Sequence, residues 1–221
     1  MPIINQIVKG SGGGSSTKYG LSLDNFLADA TGGTLGAPTQ KITNITLTGV
    51  ETISSKTLAY LFYQKDNFDT NGWAFSAPDL EVIESYALQQ AFNDNGAKKV
   101  TSISMPKLRA IYEYGLSSAF EAPTISSPLL TLVDLSSVES LSMYALSSTF
   151  KNQTALQKVY LTGLTSIINY ALGRNSNSYA FQGCTGITEI HFPAAMQTTI
   201  EGLSGYGDKW GASNATIYFD S

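Results

Sequence analysis

Ile103-Ser104-Met105-Pro106-Lys107-Leu108-Arg109-Ala110-Ile111-Tyr112-Glu113-Tyr114-Gly115-Leu116-Ser117-Ser118-Ala119-Phe120 decides the fold. Its apolar residues Ile103, Met105, Leu108, Ile111, Leu116 and Phe120 are separated by 2, 3, 3, 5 and 4 positions. The same spacings run through Ile45, Leu47, Val50, Ile53, Leu58 and Phe62, and again through Phe75, Ala77, Leu80, Ile83, Leu88 and Phe92. They recur in Val133, Leu135, Val138, Leu141, Leu146 and Phe150. A fifth copy, Val159, Leu161, Leu164, Ile167 and Leu172, reaches Phe181 late, through the insertion Gly173 to Tyr179. A sixth begins at Ile190 and Phe192 and dissolves. Successive copies start 26 to 31 residues apart, a period typical of stacked repeats.

Each copy has a physical reading. The first alternating pair places two side chains on one face of a short strand. The next pair, three apart, fits a turn into a second short strand. The Leu-to-Phe step of four, as in Tyr86-Ala87-Leu88-Gln89-Gln90-Ala91-Phe92, predicts about two turns of helix with one buried face. One such unit cannot bury its own apolar side, but stacked units can. The expected fold is therefore an α/β repeat solenoid of about five coils of 26–31 residues, spanning 41–193.

Composition agrees with a repetitive β-rich protein. The 221 residues are 43% hydrophobic, enough for a sizeable core, and only 14% charged, below the usual quarter. Thirteen basic and 17 acidic residues give a net charge of −4, and arginine occurs only at Arg109 and Arg174, which argues against nucleic-acid binding. One Cys and one His exclude a disulfide framework and His-rich metal sites. No apolar run approaches the roughly 20 residues that span a bilayer. The start, Met1-Pro2-Ile3-Ile4-Asn5-Gln6, lacks a secretory signal's basic and apolar regions, so release without secretion is expected.

Ala180-Phe181-Gln182-Gly183-Cys184-Thr185-Gly186-Ile187-Thr188-Glu189-Ile190-His191-Phe192-Pro193 resembles the AFxxCxxLxxIxLP core of BspA-type leucine-rich repeats. Val100-Thr101-Ser102-Ile103-Ser104-Met105-Pro106 resembles another segment of that family, and Gln153 stands where Cys184 would. The resemblance implies a leucine-rich-repeat solenoid over about 41–193 that serves as a binding or adhesion scaffold. Residues 1–40 form a non-repeat leader, with a short strand expected at Ile3 to Val8, a Gly/Ser linker at 10–16 and a short helix from Ser22. Residues 194–221 form a C-terminal cap, with a short helix over Ala194 to Leu203 and a final strand over Ala215 to Phe219. The leader and the run from Gly205 to Asp220 resemble the termini of repeat proteins encoded in phages and prophages of gut Firmicutes.

Signs of chemistry are sparse. The glycine run lacks the Gly-Lys-Ser/Thr of a phosphate loop. Cys184 occupies a small buried packing position, and His191 lies between Ile190 and Phe192, pointing away from the core. No catalytic pair is expected, and no cofactor or metal. The stretch Asp66 to Gly72 lacks the spacing and distal Glu of a calcium loop and reads as an insertion. The outward strand column is more informative. It runs Thr46, Ser76, Ser104, Asp134, Tyr160, His191, with Thr43, Trp73, Thr101, Thr131, Gln157 and Thr188 one step earlier. It reads either as a solvated β face or as a polar surface whose larger groups, Trp73, Asp134, Tyr160 and His191, are footholds for a ligand. Tyr86, Tyr114, Tyr144 and Tyr170, each two residues before the repeat Leu, read as a structural stack.

The expected function is non-enzymatic: a virion-associated tail, fibre or decoration protein of a phage or prophage, adhering to a bacterial or mucosal surface protein or glycan. Residues 1–40 would attach to virion components, and a homo-oligomer fits that role. The alternative is a bacterial cell-surface adhesin or extracellular interaction module. Neither nucleic acid nor membrane is expected as a partner.

Overall fold

The computed structural model describes residues 44–63, 68–124 and 127–221. The expectations for the leader fall outside them. The chain is a parallel β-solenoid of about six turns with little helix. The first strand of each coil is β1 (Asn44–Thr46), β3 (Trp73–Ser76), β5 (Val100–Ser104), β7 (Leu132–Asp134), β9 (Lys158–Tyr160) and β11 (Glu189–Pro193). Between them lie the two-residue strands β2 (Thr52–Ile53), β4 (Val82–Ile83), β6 (Ala110–Ile111), β8 (Ser140–Leu141) and β10 (Ser166–Ile167). The short strands stack as one parallel sheet of five. The longer ones form a sheet of three, β1-β3-β5, and a sheet of four, β7-β9-β11-β12, closed by β12 (Thr216–Asp220).

The core follows the spacing pattern. Ile45, Phe75, Val133, Val159 and Ile190 are buried in register, as are Ile53, Ile83, Ile111, Leu141 and Ile167. Ile103 is only half-buried, at the edge where the first sheet stops. A spine of phenylalanines runs along the axis. Neighbouring rings in Phe62, Phe92, Phe120, Phe150 and Phe181 lie 5.3–6.2 Å apart, each pair within 22° of parallel.

The Leu-to-Phe segment is not helical. In the second coil Ala87, Gln89, Ala91 and Asn93 each donate their backbone N–H three residues back, to Glu84, Tyr86, Leu88 and Gln90. The residues between them, Tyr86, Leu88, Gln90 and Phe92, donate to Glu113, Gly115, Ser117 and Ala119 of the next coil. The backbone is a chain of β-turns whose alternate N–H groups bond across coils. A helix would spend every N–H within one coil; here half of them tie neighbouring coils together. The turns require left-handed backbone every fourth residue: Tyr86, Gln90 and Asp94; Tyr114 and Ser118; Tyr144, Ser148 and Asn152; Tyr170. In the second coil the buried pairs Ala87-Leu88 and Ala91-Phe92 flank the half-buried Gln89-Gln90, whereas in the third and fourth coils the intervening Ser117-Ser118 and Ser147-Ser148 are buried as well.

The C-terminal segment closes the stack. A 3-10 turn (Ala194–Met196) leads into α1 (Gln197–Glu201), which buries Ile200. Trp210 is buried, its carbonyl accepts the Phe181 N–H, and its indole N–H bonds Ser204 O at 2.9 Å. β12 then pairs with β11 over five positions, Glu189↔Thr216 to Pro193↔Asp220. No helix among the described residues is long and apolar enough to cross a membrane.

Candidate functional site

Trp73 is no foothold for a ligand. It is 1% exposed, its indole N–H donates to Gly96 O at 2.7 Å, and its ring packs against Phe68 and Phe92. The cause is plain alternation along β3: Trp73 stands two residues before the buried Phe75, so both side chains take the inward face, while the register shift opposite leaves Thr101 as the extra residue of a bulge on β5. Asp69 Oδ1 accepts the Asn71 N–H at 2.7 Å just before Trp73, while Asp66 and Asn67 lie outside the described residues.

The other three residues come together. Asp134, Tyr160 and His191 share one row across β7, β9 and β11, and β12 extends it with Tyr218. Tyr160 and His191 stack with centroids 4.6 Å apart, and His191 and Tyr218 at 4.8 Å, 13° from parallel. Asp134 is exposed at one end, its Oδ1 accepting the Ser136 N–H at 2.9 Å. Tyr218 is 42% exposed at the other, on the edge strand of this sheet among the described residues.

Ionic groups clamp this row. Asp220 Oδ2 lies 2.8 Å from His191 Nδ1, and Glu189 Oε2 lies 3.3 Å from His191 Nε2. Lys158 Nζ reaches the same Glu189 oxygen at 2.9 Å. That hydrogen bond, then the one from His191, holds the Glu189 carboxyl below its usual value, and Glu189 raises the Lys158 ammonium. The result is a stacked aromatic row with carboxylates at its margins. Cys184 plays no part in it. The thiol is buried, donates to Phe150 O at 2.9 Å, and is pushed by burial to about 12.

No family model, curated protein or solved structure matches the chain. The site therefore stands on its own geometry. Sequence reading missed Tyr218 and Asp220 because β12 carries no repeat signature to fix its register. Lys158 and Glu189 were legible, since each immediately precedes a repeat core residue, Val159 or Ile190.

A second aromatic feature lies where the five-stranded sheet meets the turn chain. Tyr86, Tyr114, Tyr144 and Tyr170 stack with centroids 5.0, 4.8 and 6.1 Å apart. All four are half-buried and take left-handed backbone, φ 54 to 69°. A left-handed non-glycine residue costs about 1–2 kcal/mol. An aromatic pair contributes about 0.5–1.5 kcal/mol beyond its burial. Partial burial, with Tyr144, Tyr86 and Glu113 nearby, raises the Tyr114 phenol above its usual value and keeps it a hydrogen-bond donor.

Proposed function

We propose that the chain is a non-enzymatic binding protein, a BspA-type leucine-rich-repeat solenoid of a phage or prophage virion. It adheres to a bacterial or mucosal surface protein or glycan through the outer face of β7, β9, β11 and β12. The observation that carries this reading is the stacked Tyr160–His191–Tyr218 strip, open at Tyr218 and edged by Asp134, Glu189 and Asp220. Aromatic groups with a polar rim are what binding surfaces concentrate, and side chains on a paired sheet lose little freedom when a partner docks. The repeat type rests on the Ala180 to Pro193 segment, and the virion assignment on the likeness of both termini to phage-encoded repeat proteins.

The test is binding of fluorescently labelled full chain to intact Gram-positive cells and to immobilised mucin. Wild type is expected to bind at least one of these, and Tyr160→Ala/Tyr218→Ala to lose at least tenfold in affinity with unchanged circular dichroism. Binding to neither target, or equal binding by the variant, would sink the proposal.

A further inference from the structure

We infer that Asn71 is a self-modification site, where the chain's own backbone converts the asparagine to aspartate and isoaspartate, while the fold protects the second Asn-Gly pair, Asn95-Gly96. In an Asn-Gly pair no side chain shields the backbone nitrogen that follows the asparagine, so that nitrogen can reach the carboxamide. The Gly72 nitrogen gives its proton to water or hydroxide and bonds to Asn71 Cγ. The Cγ–Nδ2 bond breaks, and Nδ2 takes a proton from water and leaves as ammonia. Water then opens the cyclic imide at one carbonyl or the other, giving aspartate or isoaspartate at position 71.

The structure separates two pairs that are alike in sequence. Asn71 is exposed in the turn before β3, and among the described residues no hydrogen bond holds its carboxamide. Gly72 has φ +115°, and its N–H reaches Asp69 O at 3.2 Å, the long end of the hydrogen-bond range. Asn95 is half-buried, and its Oδ1 accepts from Lys98 Nζ at 2.7 Å. Gly96 is buried, and its carbonyl accepts the Trp73 indole N–H at 2.7 Å and the Lys99 N–H at 3.1 Å. An added Cβ there would lie 2.8 Å from the Phe68 ring. Ring closure needs the Asn-Gly peptide to rotate, and these contacts hold Gly96 against it. Conversion at position 71 places a second carboxylate near Asp69, and isoaspartate also adds one carbon to the main chain. A Cβ on Gly72 would overlap the Thr101 methyl, so the longer chain has no room toward β5 and is displaced outward.

The experiment incubates the full chain at mildly alkaline pH, folded and in guanidinium, and follows both sites by peptide mapping with mass spectrometry. In folded protein Asn71 is expected to convert at least tenfold faster than Asn95, with isoaspartate among the products. In guanidinium the two rates should come within a few-fold of each other, because the contacts that distinguish them are gone. Asn71→Ser should remove the earliest acidic form seen on ion exchange of folded protein. Folded protein that converts Asn95 as fast as Asn71 overturns the inference, as does an Asn71 that stays intact when folded. A tenfold difference that persists in guanidinium also overturns it, by placing the cause in the local sequence and not in the fold.

Discussion

Replacing Gln153 tests whether a side chain can stand in for a backbone donor that proline removes. In later coils the residue three past the spine phenylalanine returns its N–H to it: Gln153 N–H to Phe150 O at 3.1 Å, and Cys184 N–H to Phe181 O at 2.9 Å. After Phe120 that residue is Pro123, which has no N–H. The amide of Gln153, fully buried, instead donates to Phe120 O at 2.8 Å and to Ala97 O at 3.0 Å. Its own Oε1 has no hydrogen-bond partner. Gln153→Met keeps the volume and removes the donors. Ala97 O keeps the Val100 N–H, so the main penalty is the buried Phe120 carbonyl, about 1–3 kcal/mol. At about 2–4 °C per kcal/mol for a chain of this size, the Tm should fall by roughly 2–12 °C in thermal unfolding followed by circular dichroism. Pro123→Ala restores a backbone N–H and should recover at least half of that loss, a coupling that a double-mutant cycle measures. A Gln153→Met Tm within about 1 °C of wild type, where the carbonyl penalty predicts several, would refute the donor argument. So would strictly additive effects of the two substitutions.

Three further outcomes follow from single contacts. At Gly163 an added Cβ would overlap the carbonyl oxygen of Ser136 in the preceding coil, and backbone cannot swing aside, so Gly163→Ala should cost about 1–3 kcal/mol in urea unfolding. Gly207→Ala, with nothing nearby, is its control. The Cys184 thiol, buried and raised to about 12, should stay unreactive to Ellman's reagent at pH 8 until denaturant opens the core. Stoichiometric reaction of native protein would contradict its placement. Glu189 is held below the ordinary glutamate value, so its ion pairs are fully present above that value and are lost as pH falls through the lower folded one. The Tm should therefore fall as pH drops through that acid window, and Glu189→Gln should lessen the fall.

The repeat was legible because its apolar spacings map directly onto buried columns. The helix reading of the Leu-to-Phe segment failed for a specific reason. A step of four returns a side chain to the same face in a helix, and it does so equally in consecutive β-turns. Only the hydrogen-bond partner differs, and spacing does not report it. The pairs Ser117-Ser118 and Ser147-Ser148 are weak helix formers at these positions, and they were the available warning. Trp73 was misplaced because a position two residues before a core residue was read as outward, whereas strict alternation along β3 puts it on the face of Phe75; Tyr160 and His191 each directly follow a core residue and face out.

The C-terminal strip also bears on what holds β12, the edge strand of its sheet among the described residues. An edge strand in a parallel sheet has partners on one side only and invites pairing with other chains. Here five register positions, the His191–Tyr218 stack and the Asp220–His191 contact hold it. The groups that fasten the strand are those the strip offers to a ligand. Recognition and local stability are thus linked: a ligand that binds only when β12 is docked must stabilise that docking in return, by an amount set by its concentration relative to its Kd. Cell or mucin binding that stays constant while amide protection of residues 216–220 collapses would place the contact away from this strip.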